Sequence, residues 1–432
     1  MKNFNIIKSI VVVALLTLHP AYSFSSSADR RSSQQQEYVT IRGKVIDKET
    51  GNPLVFATIA VKESNVAMVT NIDGEFTLKL LPPLDNKNIE VSFLGFKNKL
   101  VAVNDMKSGK NIIELETAPI PIREIIVKPT DPVSIMEKAI ENIGKNYESV
   151  PNLMTSFYRE TIRKNRTYVS IGEAVVEIFK APYTSDVRFD AARIYKGRKG
   201  SDVDKMDTVL FKLQGGPVTV LQLDLAKNSE SILTRTAMEY YNYSLGGVIE
   251  IDGKPHYIIE FMQKESVDFP LFMGTFYIDM DSYAISEAEF GYNLADKAKA
   301  AEIFIRKKPL GMEVIPEIAT YRTKYREQDG KWHFEYSRAE VRFKVNWRKK
   351  LFNTYYTTMS EIAVTDRTAE EVIKFAGKDK LRTSDFFTEK VMAFSDPEFW
   401  GDYNVIEPDQ SIESAIRRLS RKLKFSDMTS EQ

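Results

Sequence analysis

Arg42-Gly43-Lys44-Val45, Thr50-Gly51-Asn52-Pro53-Leu54, Thr70-Asn71-Ile72-Asp73-Gly74-Glu75-Phe76 and Phe93-Leu94-Gly95-Phe96 punctuate residues 39–116. Between these signals stand runs of alternating apolar residues: Val39 and Ile41 leading to Val45, then Val55/Ala57/Ile59/Val61, Phe76/Leu78/Leu80 and Ile89/Val91/Phe93. A period of two marks a strand with one buried face. About seven such runs, spaced roughly 8–12 residues apart, predict a seven-stranded β-sandwich over residues 38–118. Asp73-Gly74 has the residues of a two-residue primed turn, and Gly51 ahead of Asn52-Pro53 supplies a reversal that a β-carbon would hinder. These pieces specify a fold rather than a reaction.

Gly43 to Val45, Thr50 to Leu54, Ala57 to Val61, Thr70 to Phe76 and Leu94 to Phe96 succeed one another along the chain. In that order they resemble the carboxypeptidase-regulatory-like domain, a transthyretin-like sandwich common in envelope proteins of the Bacteroidota. The resemblance implies an accessory or docking module. It does not imply peptidase activity.

Upstream, Lys2 and Lys8 precede an apolar run from Ile10 to Leu18, with the small residues Ala21 and Ser23 at the spacing a signal peptidase reads. Residues 1–23 are therefore expected to be a signal peptide, the run being short of the roughly 20 residues that span a bilayer. The sequence contains no cysteine, which removes a lipoprotein anchor, a disulfide framework and a thiolate metal site. The expected location is exported, in the periplasm or associated with the outer membrane, with no transmembrane span after cleavage. Residues 24–37, rich in Ser and Gln, read as a flexible linker.

With 432 residues, 43% of them hydrophobic, the chain can build two or three cores. Sixty basic and sixty acidic residues cancel, so nothing electrostatic points to a nucleic-acid partner.

Residues 119–152 read as a linker and helix. Pro119 and Pro121 stiffen the junction, Glu124 to Val127 form a short strand, and Asp131-Pro132 open a helix with Met136, Ile140, Ile143 and Tyr147 on one stripe. Residues 153–366 read as a large antiparallel β domain. Its hairpins turn at Asn165-Arg166, Asp252-Gly253 and Asp329-Gly330. A two-residue turn at the last of these sets Gln328 opposite Lys331, Tyr325 opposite Phe334 and Thr323 opposite Tyr336 on one side. Lys324 then faces Glu335 on an exposed side, with a bulge expected near Ser337-Arg338. Arg322, Lys324 and Arg326 oppose a lipid-facing surface, which argues against a membrane barrel. An apolar helix carrying Val218, Leu221, Leu225 and Ile232 is expected to lie against a curved, half-barrel sheet. The run from Leu245 to Phe290 resembles the half-barrel lipoprotein carriers and sensors of the periplasm.

Residues 367–432 are expected to be an aromatic loop, Ser395 to Pro408, and an amphipathic helix, Asp409 to Leu423. Phe399, Trp400 and Tyr403 would lock this tail onto the sheet.

His256 and His333 are the histidines beyond the leader, and neither stands in zinc-peptidase spacing. Each reads as structural. No G-x-S-x-G occurs. No catalytic, cofactor-binding or metal-ligating residue is assigned, and no cofactor is expected. Three readings stand: a non-enzymatic envelope adaptor whose sandwich docks a protein or glycan; a periplasmic carrier of a lipid or other apolar ligand; and a carboxylate-dependent glycan hydrolase. A filled core favours the first, a dry apolar cavity the second, and a solvent cleft with two suitably spaced acids the third.

Overall fold

The computed structural model describes residues 38–107, 109–118, 131–202, 213–305, 310–348, 351–393 and 399–430, with side chains through Arg421. The leader, the linker at 24–37, the Pro119 to Pro121 junction, the strand at Glu124 to Val127 and the start of the aromatic loop lie outside these residues.

The alternating runs near the N-terminus become β1 (Val39–Asp47), β2 (Thr58–Val61), β3 (Ala67–Val69), β4 (Glu75–Leu80), β5 (Asn88–Ser92), β6 (Lys99–Ala102) and β7 (Lys110–Leu115). They form two sheets, ordered β4-β1-β7 and β3-β2-β5-β6. Val45, Ile59, Phe76, Leu78 and Val91 fill the space between them. The turn at Asp73-Gly74 differs from the expected primed pair, because Gly74 is left-handed (φ 74°) and Asp73 is not. Instead Asn71 N donates to the Glu75 carbonyl (2.9 Å), and Asn71 Oδ1 accepts from Asp73 N (2.9 Å) and Glu75 N (2.8 Å). The side chain of Asn71 thus organises a longer turn closed by a left-handed glycine. A β-carbon on Gly74 would stand 2.6 Å from the carbonyl oxygen of Val45, so only glycine fits.

The second module is one eleven-stranded sheet. Its strands are β8 (Asn152–Lys164), β9 (Thr167–Lys180), β10 (Ala191–Ser201), β11 (Tyr241–Ile251), β12 (Lys254–Gln263), β13 (Phe272–Asp279), β14 (Ile285–Tyr292), β15 (Met312–Gln328), β16 (Lys331–Trp347), β17 (Thr354–Thr368) and β18 (Met392–Ala393). Their order is β11-β12-β13-β14-β15-β16-β17-β8-β9-β10-β18, an open sheet that does not close into a barrel. Pairing is antiparallel except for β10 with β18. Two hairpins turn through type I′ pairs, with both residues left-handed at Asp252 (φ 51°) and Gly253 (φ 71°), and at Asp329 (φ 52°) and Gly330 (φ 74°), whereas at Asn165-Arg166 only Asn165 is left-handed (φ 53°).

Beyond the Asp329-Gly330 turn, Gln328 pairs with Lys331 and Tyr325 with Phe334, as the sequence predicts. The bulge then falls at Glu335, ahead of the expected Ser337-Arg338. Lys324 consequently pairs with Tyr336 and Thr323 with Ser337. The bulge turns Tyr336 to the face opposite Phe334, and past it Ala339, Val341, Phe343 and Val345 return to the Phe334 side. Strand β15 begins at Met312, and a second irregularity between Pro316 and Ile318 accommodates the proline.

The Phe334 side is the main apolar core. Helices α1 (Pro132–Glu141), α2 (Ile143–Asn146), α3 (Pro217–Leu221), α4 (Arg235–Met238) and α5 (Lys297–Phe304) belong to this layer. Asp131 caps α1, accepting from Val133 N (3.3 Å) and Ser134 N (3.2 Å), and Ile135, Met136 and Tyr147 are buried beneath it. Leu221, Leu225 and Ile232 are buried in the same core, with Val218 at its margin, although only residues 217–221 of that segment are helical. Helix α6 (Gln410–Ser430) packs on the other face through Ile412, Ala415 and Leu419 against Ile171. Among the described residues no helix is long and apolar enough to cross a membrane.

Phe334 is wholly enclosed, between Tyr325 and the Lys180 ammonium. Phe334→Ala is expected to cost roughly 3–5 kcal/mol in urea unfolding, since the cavity cannot collapse against a two-faced sheet. A loss below about 1 kcal/mol would place the ring outside the core.

Candidate functional site

The face of the large sheet that carries Arg322, Lys324 and Arg326 is polar in sequence, and it is covered rather than solvated. Arg159, on β8, donates to Glu173 Oε1 (2.9 Å), Glu361 Oε1 (3.3 Å) and the Ile406 carbonyl (2.7 Å). Arg338 reaches Glu361 (3.1 Å) and Glu340 (2.8 Å), and the Tyr336 hydroxyl donates to Glu361 (2.9 Å). Burial alone would push Glu173 up, but the Arg159 and Arg198 guanidiniums outweigh it and hold the carboxylate below its ordinary range. Trp400 closes this region, packed edge-on to Phe157 (5.6 Å) with Arg198 over its ring, while Phe399 packs on Trp400 and Tyr403 on Tyr195. The aromatic tail therefore locks onto the sheet.

The sandwich covers the neighbouring part of the same face. Phe56, left-handed at φ 62°, lays its ring on Tyr336 (5.4 Å), with Arg322 and Arg338 at 5.6 and 5.2 Å from its centre. Such a backbone costs roughly 1–3 kcal/mol and persists only where its surroundings hold it; here a stack with two cation–π contacts does so. Lys324 Nζ donates to the Phe56 carbonyl (3.2 Å) and Thr58 Oγ1 (3.0 Å), so the expected exposed pair with Glu335 does not form. Glu335 instead accepts from Thr58 (3.3 Å), and burial raises its pKa despite Lys324 and Arg326 nearby. Asn65 completes the attachment: its Oδ1 accepts from Gln328 (2.6 Å), its Nδ2 donates to the Arg367 carbonyl (2.6 Å), and its own carbonyl accepts from Arg326 (3.2 Å).

Between this attachment and a second one, where Gly95 N donates to the Glu250 carbonyl (3.0 Å), lies a cleft of about 530 Å³. Strands β2 and β5 form one wall, and the turns at Asp252-Gly253 and Asp329-Gly330 form the other. Asn98 Nδ2 stands 3.4 Å from both Glu90 Oε1 and Asp252 Oδ1, while its Oδ1 is buried without a partner. His256, opposite Ile249 on β12, lines the same cleft. Its Nδ1 lies 2.9 Å from the Lys254 carbonyl and must donate to it, which leaves Nε2 an acceptor, and that atom too is buried and unpartnered. Burial lowers the pKa of this imidazole, keeping it neutral at neutral pH. The walls are polar throughout, with Lys62, Lys254 and Arg326 as donors beside these two shielded acceptors. In sequence His256 reads as a structural residue, and nothing local to it signals the unmet bond.

On the helix side the described apolar residues pack around a buried charged group. Lys180 bonds Asp190 (2.7 Å) and Asp224 (2.5 Å), Lys227 bonds Asp190 (2.5 Å), and the hydroxyls of Tyr183 and Tyr325 each donate to Asp224 (2.9 Å). Burial, aided by Lys180, pushes Lys227 down to about 8. This group of two cations and two anions pins the segment after α3 to the sheet. A void beside Tyr158, Phe304 and Phe343 holds about 20 Å³, room for one water. Among the described residues no group of three or more His, Cys, Asp or Glu is placed to hold a metal.

An open eleven-stranded sheet faced by short helices on one side and by a small sandwich and an aromatic tail on the other defines a two-module β scaffold. Residues 41–127 match the CarboxypepD_reg-like domain family, and the N-terminal module is a carboxypeptidase-regulatory-like domain. Comparison with curated proteins finds no match. Among solved structures, a DUF1329 family protein from Desulfovibrio piger is similar at 13% identity and a TM-score of 0.25, over 57% of this chain and 96% of that one. A putative outer membrane lipoprotein-sorting protein domain from Vibrio parahaemolyticus is similar at 9% identity and a TM-score of 0.24, over 56% and 95%. Lipovitellin is similar at 10% identity and a TM-score of 0.26, over 59% of this chain and 28% of its own. Likeness at this level carries no inference about ligand or activity.

His333, on the sandwich-facing side of β16, has Nδ1 buried without a partner and Nε2 3.9 Å from Glu148. Burial, then the cations Arg367 and Arg326, push it down to about 3. Between that value and the ordinary 6.5 the unfolded chain binds the extra proton, so this stability is full above about pH 6.5 and declines as pH falls toward 3. From pH 7 to pH 5 the wild type should lose about 2 kcal/mol more than His333→Gln in urea unfolding. Equal losses would mean that the ring is solvated.

Proposed function

We propose that the protein is an exported, non-enzymatic envelope adaptor, in which the sandwich and the large sheet form one scaffold and the cleft between them captures a hydroxyl-rich ligand, a glycan. The observation that carries this reading is the cleft itself. At about 530 Å³ it has the size of a small-molecule site, and its walls hold two buried acceptors, His256 Nε2 and Asn98 Oδ1, without donors. Buried polar atoms are ordinarily paired, and sugar hydroxyls supply donors in number. The carrier reading finds little support on the helix side, where the void beside Tyr158 could not take a lipid chain.

One observation favours hydrolysis as a second reading. Because Asn98 Nδ2 bonds both Glu90 and Asp252 at 3.4 Å, the bonded oxygens are within about 7 Å of each other, in the span used by paired-carboxylate glycosidases. Titration calorimetry and product analysis with a panel of neutral oligosaccharides separate the readings. The adaptor reading expects binding without cleavage, weakened about tenfold, or 1.4 kcal/mol, by Asn98→Ala with the melting temperature unchanged. Binding indifferent to Asn98→Ala and to His256→Phe, or no binding by any oligosaccharide, would remove the cleft from the account. Cleavage lost in Glu90→Gln would establish the hydrolase instead.

A further inference from the structure

A second cavity, of about 230 Å³, lies on the polar face of the sheet where the sandwich turn between β3 and β4 meets strands β8, β16 and β17 and the start of α6. It shares no lining residue with the cleft described above. Six charged side chains line it, Arg159, Arg163 and Arg338 against Glu340, Glu361 and Asp409. Five of them are already matched. Glu361 accepts from Arg159 (3.3 Å), Arg338 (3.1 Å) and the Tyr336 hydroxyl (2.9 Å), and Glu340 accepts from Arg338 (2.8 Å). Asp409 caps α6, taking bonds from Ser411 N (2.8 Å) and Ile412 N (2.9 Å), where the positive end of the helix offsets its charge.

Arg163 is left over. Among the described residues its guanidinium meets no acceptor: it stands 5.9 Å from the centre of the Tyr168 ring, and its Nε is buried without a partner. Asn71 adds a second uncommitted donor. Its Oδ1 is engaged by Asp73 N and Glu75 N, while the Nδ2 of this side chain, 3% exposed, has no acceptor. A half-buried cation without a counter-charge, beside a buried amide N–H without an acceptor, fits a ligand that brings acceptors and one negative charge. Phosphate carries more charge than one free guanidinium offsets, and it would face Glu340 and Glu361 as well. A carboxylate has the matching charge, and its two oxygens suit the edge of a guanidinium. The volume lies below the roughly 300 Å³ at which ordinary ligand pockets begin, so the molecule is small. Thr161 and Thr357 line the same space and offer hydroxyls to its body. We propose that this cavity binds a small organic acid, with its carboxylate held by Arg163 and Asn71 Nδ2. Because Asn71 belongs to the sandwich and Arg163 to the sheet, the bound acid ties the two modules together.

Calorimetric titration of the full chain at neutral pH with galacturonate, lactate, glucose and inorganic phosphate tests this. Galacturonate or lactate should bind and raise the melting temperature, and glucose should do neither; the two acids separate a sugar acid from a hydroxy acid as the class preferred. Arg163→Gln should weaken binding roughly tenfold or more, and it removes no hydrogen bond that holds the fold. Asn71→Asp keeps an acceptor for the turn but replaces the Nδ2 donor with an anionic oxygen, and it should abolish binding. Arg188→Gln, at an exposed cation elsewhere, should change nothing. Affinity unaltered in Arg163→Gln would overturn the proposal, as would glucose binding as well as galacturonate or phosphate binding more tightly than either acid. So would the absence of both heat and a melting shift with either acid at millimolar concentration. None of these outcomes bears on the cleft, whose residues are separate.

Discussion

A carboxylate or guanidinium removed from water costs several kcal/mol unless every one of its bonds is replaced, and the central strands of this sheet remove many at once. Arg159, Glu173, Glu361 and Arg338 share one face of β8, β9, β16 and β17, and they find partners within that group, from Arg198, Tyr336 and Glu340 beside it, and from the tail. Such a network is stable only if it is completed and covered. The sandwich and the aromatic tail supply the cover, Phe56 at the centre and Trp400 at the side. The placement of the N-terminal module follows from that requirement.

The opposite face meets the same demand with apolar side chains. Tyr147, Tyr158, Phe276, Phe334 and Phe343 fill the space under short helices, and the buried Lys180–Asp224 group fixes the irregular segment after α3. With both faces largely covered, open spaces among the described residues remain where the sandwich meets the sheet.

Turn chemistry made most of this fold legible in the sequence. Asp252-Gly253 and Asp329-Gly330 dictate left-handed pairs, so their hairpins and the register from Gln328 to Tyr325 follow directly. Local reasoning stopped at Glu335, where the bulge turns Tyr336 toward Phe56, a residue of the other module. The same limit explains the misreading of Arg322, Lys324 and Arg326. Alternation tells which side of a strand is charged, but not whether another module lies on that side, and here Lys324 bonds the backbone of Phe56. The cleft was illegible for a related reason: Asn98, Asp252 and His256 come from segments with no common sequence signal, and only the docking of sandwich on sheet assembles them. The tail was readable because three aromatics in so short a stretch have few places to go except a core.

The central claim is that the sandwich is fixed on the polar face of the sheet, and proximity across that junction tests it most directly. Asn65 Oδ1 and Gln328 Nε2 are 2.6 Å apart across the two modules, while Phe56 and Lys324 hold the junction independently of both. In a chain otherwise free of cysteine, Asn65→Cys with Gln328→Cys should be joined almost completely by a short bismaleimide under native conditions, and adding Phe56→Ala should reduce that yield. A pair that stays unlinked in the folded protein, or links equally well with and without Phe56, would contradict a sandwich held on the sheet by this stack.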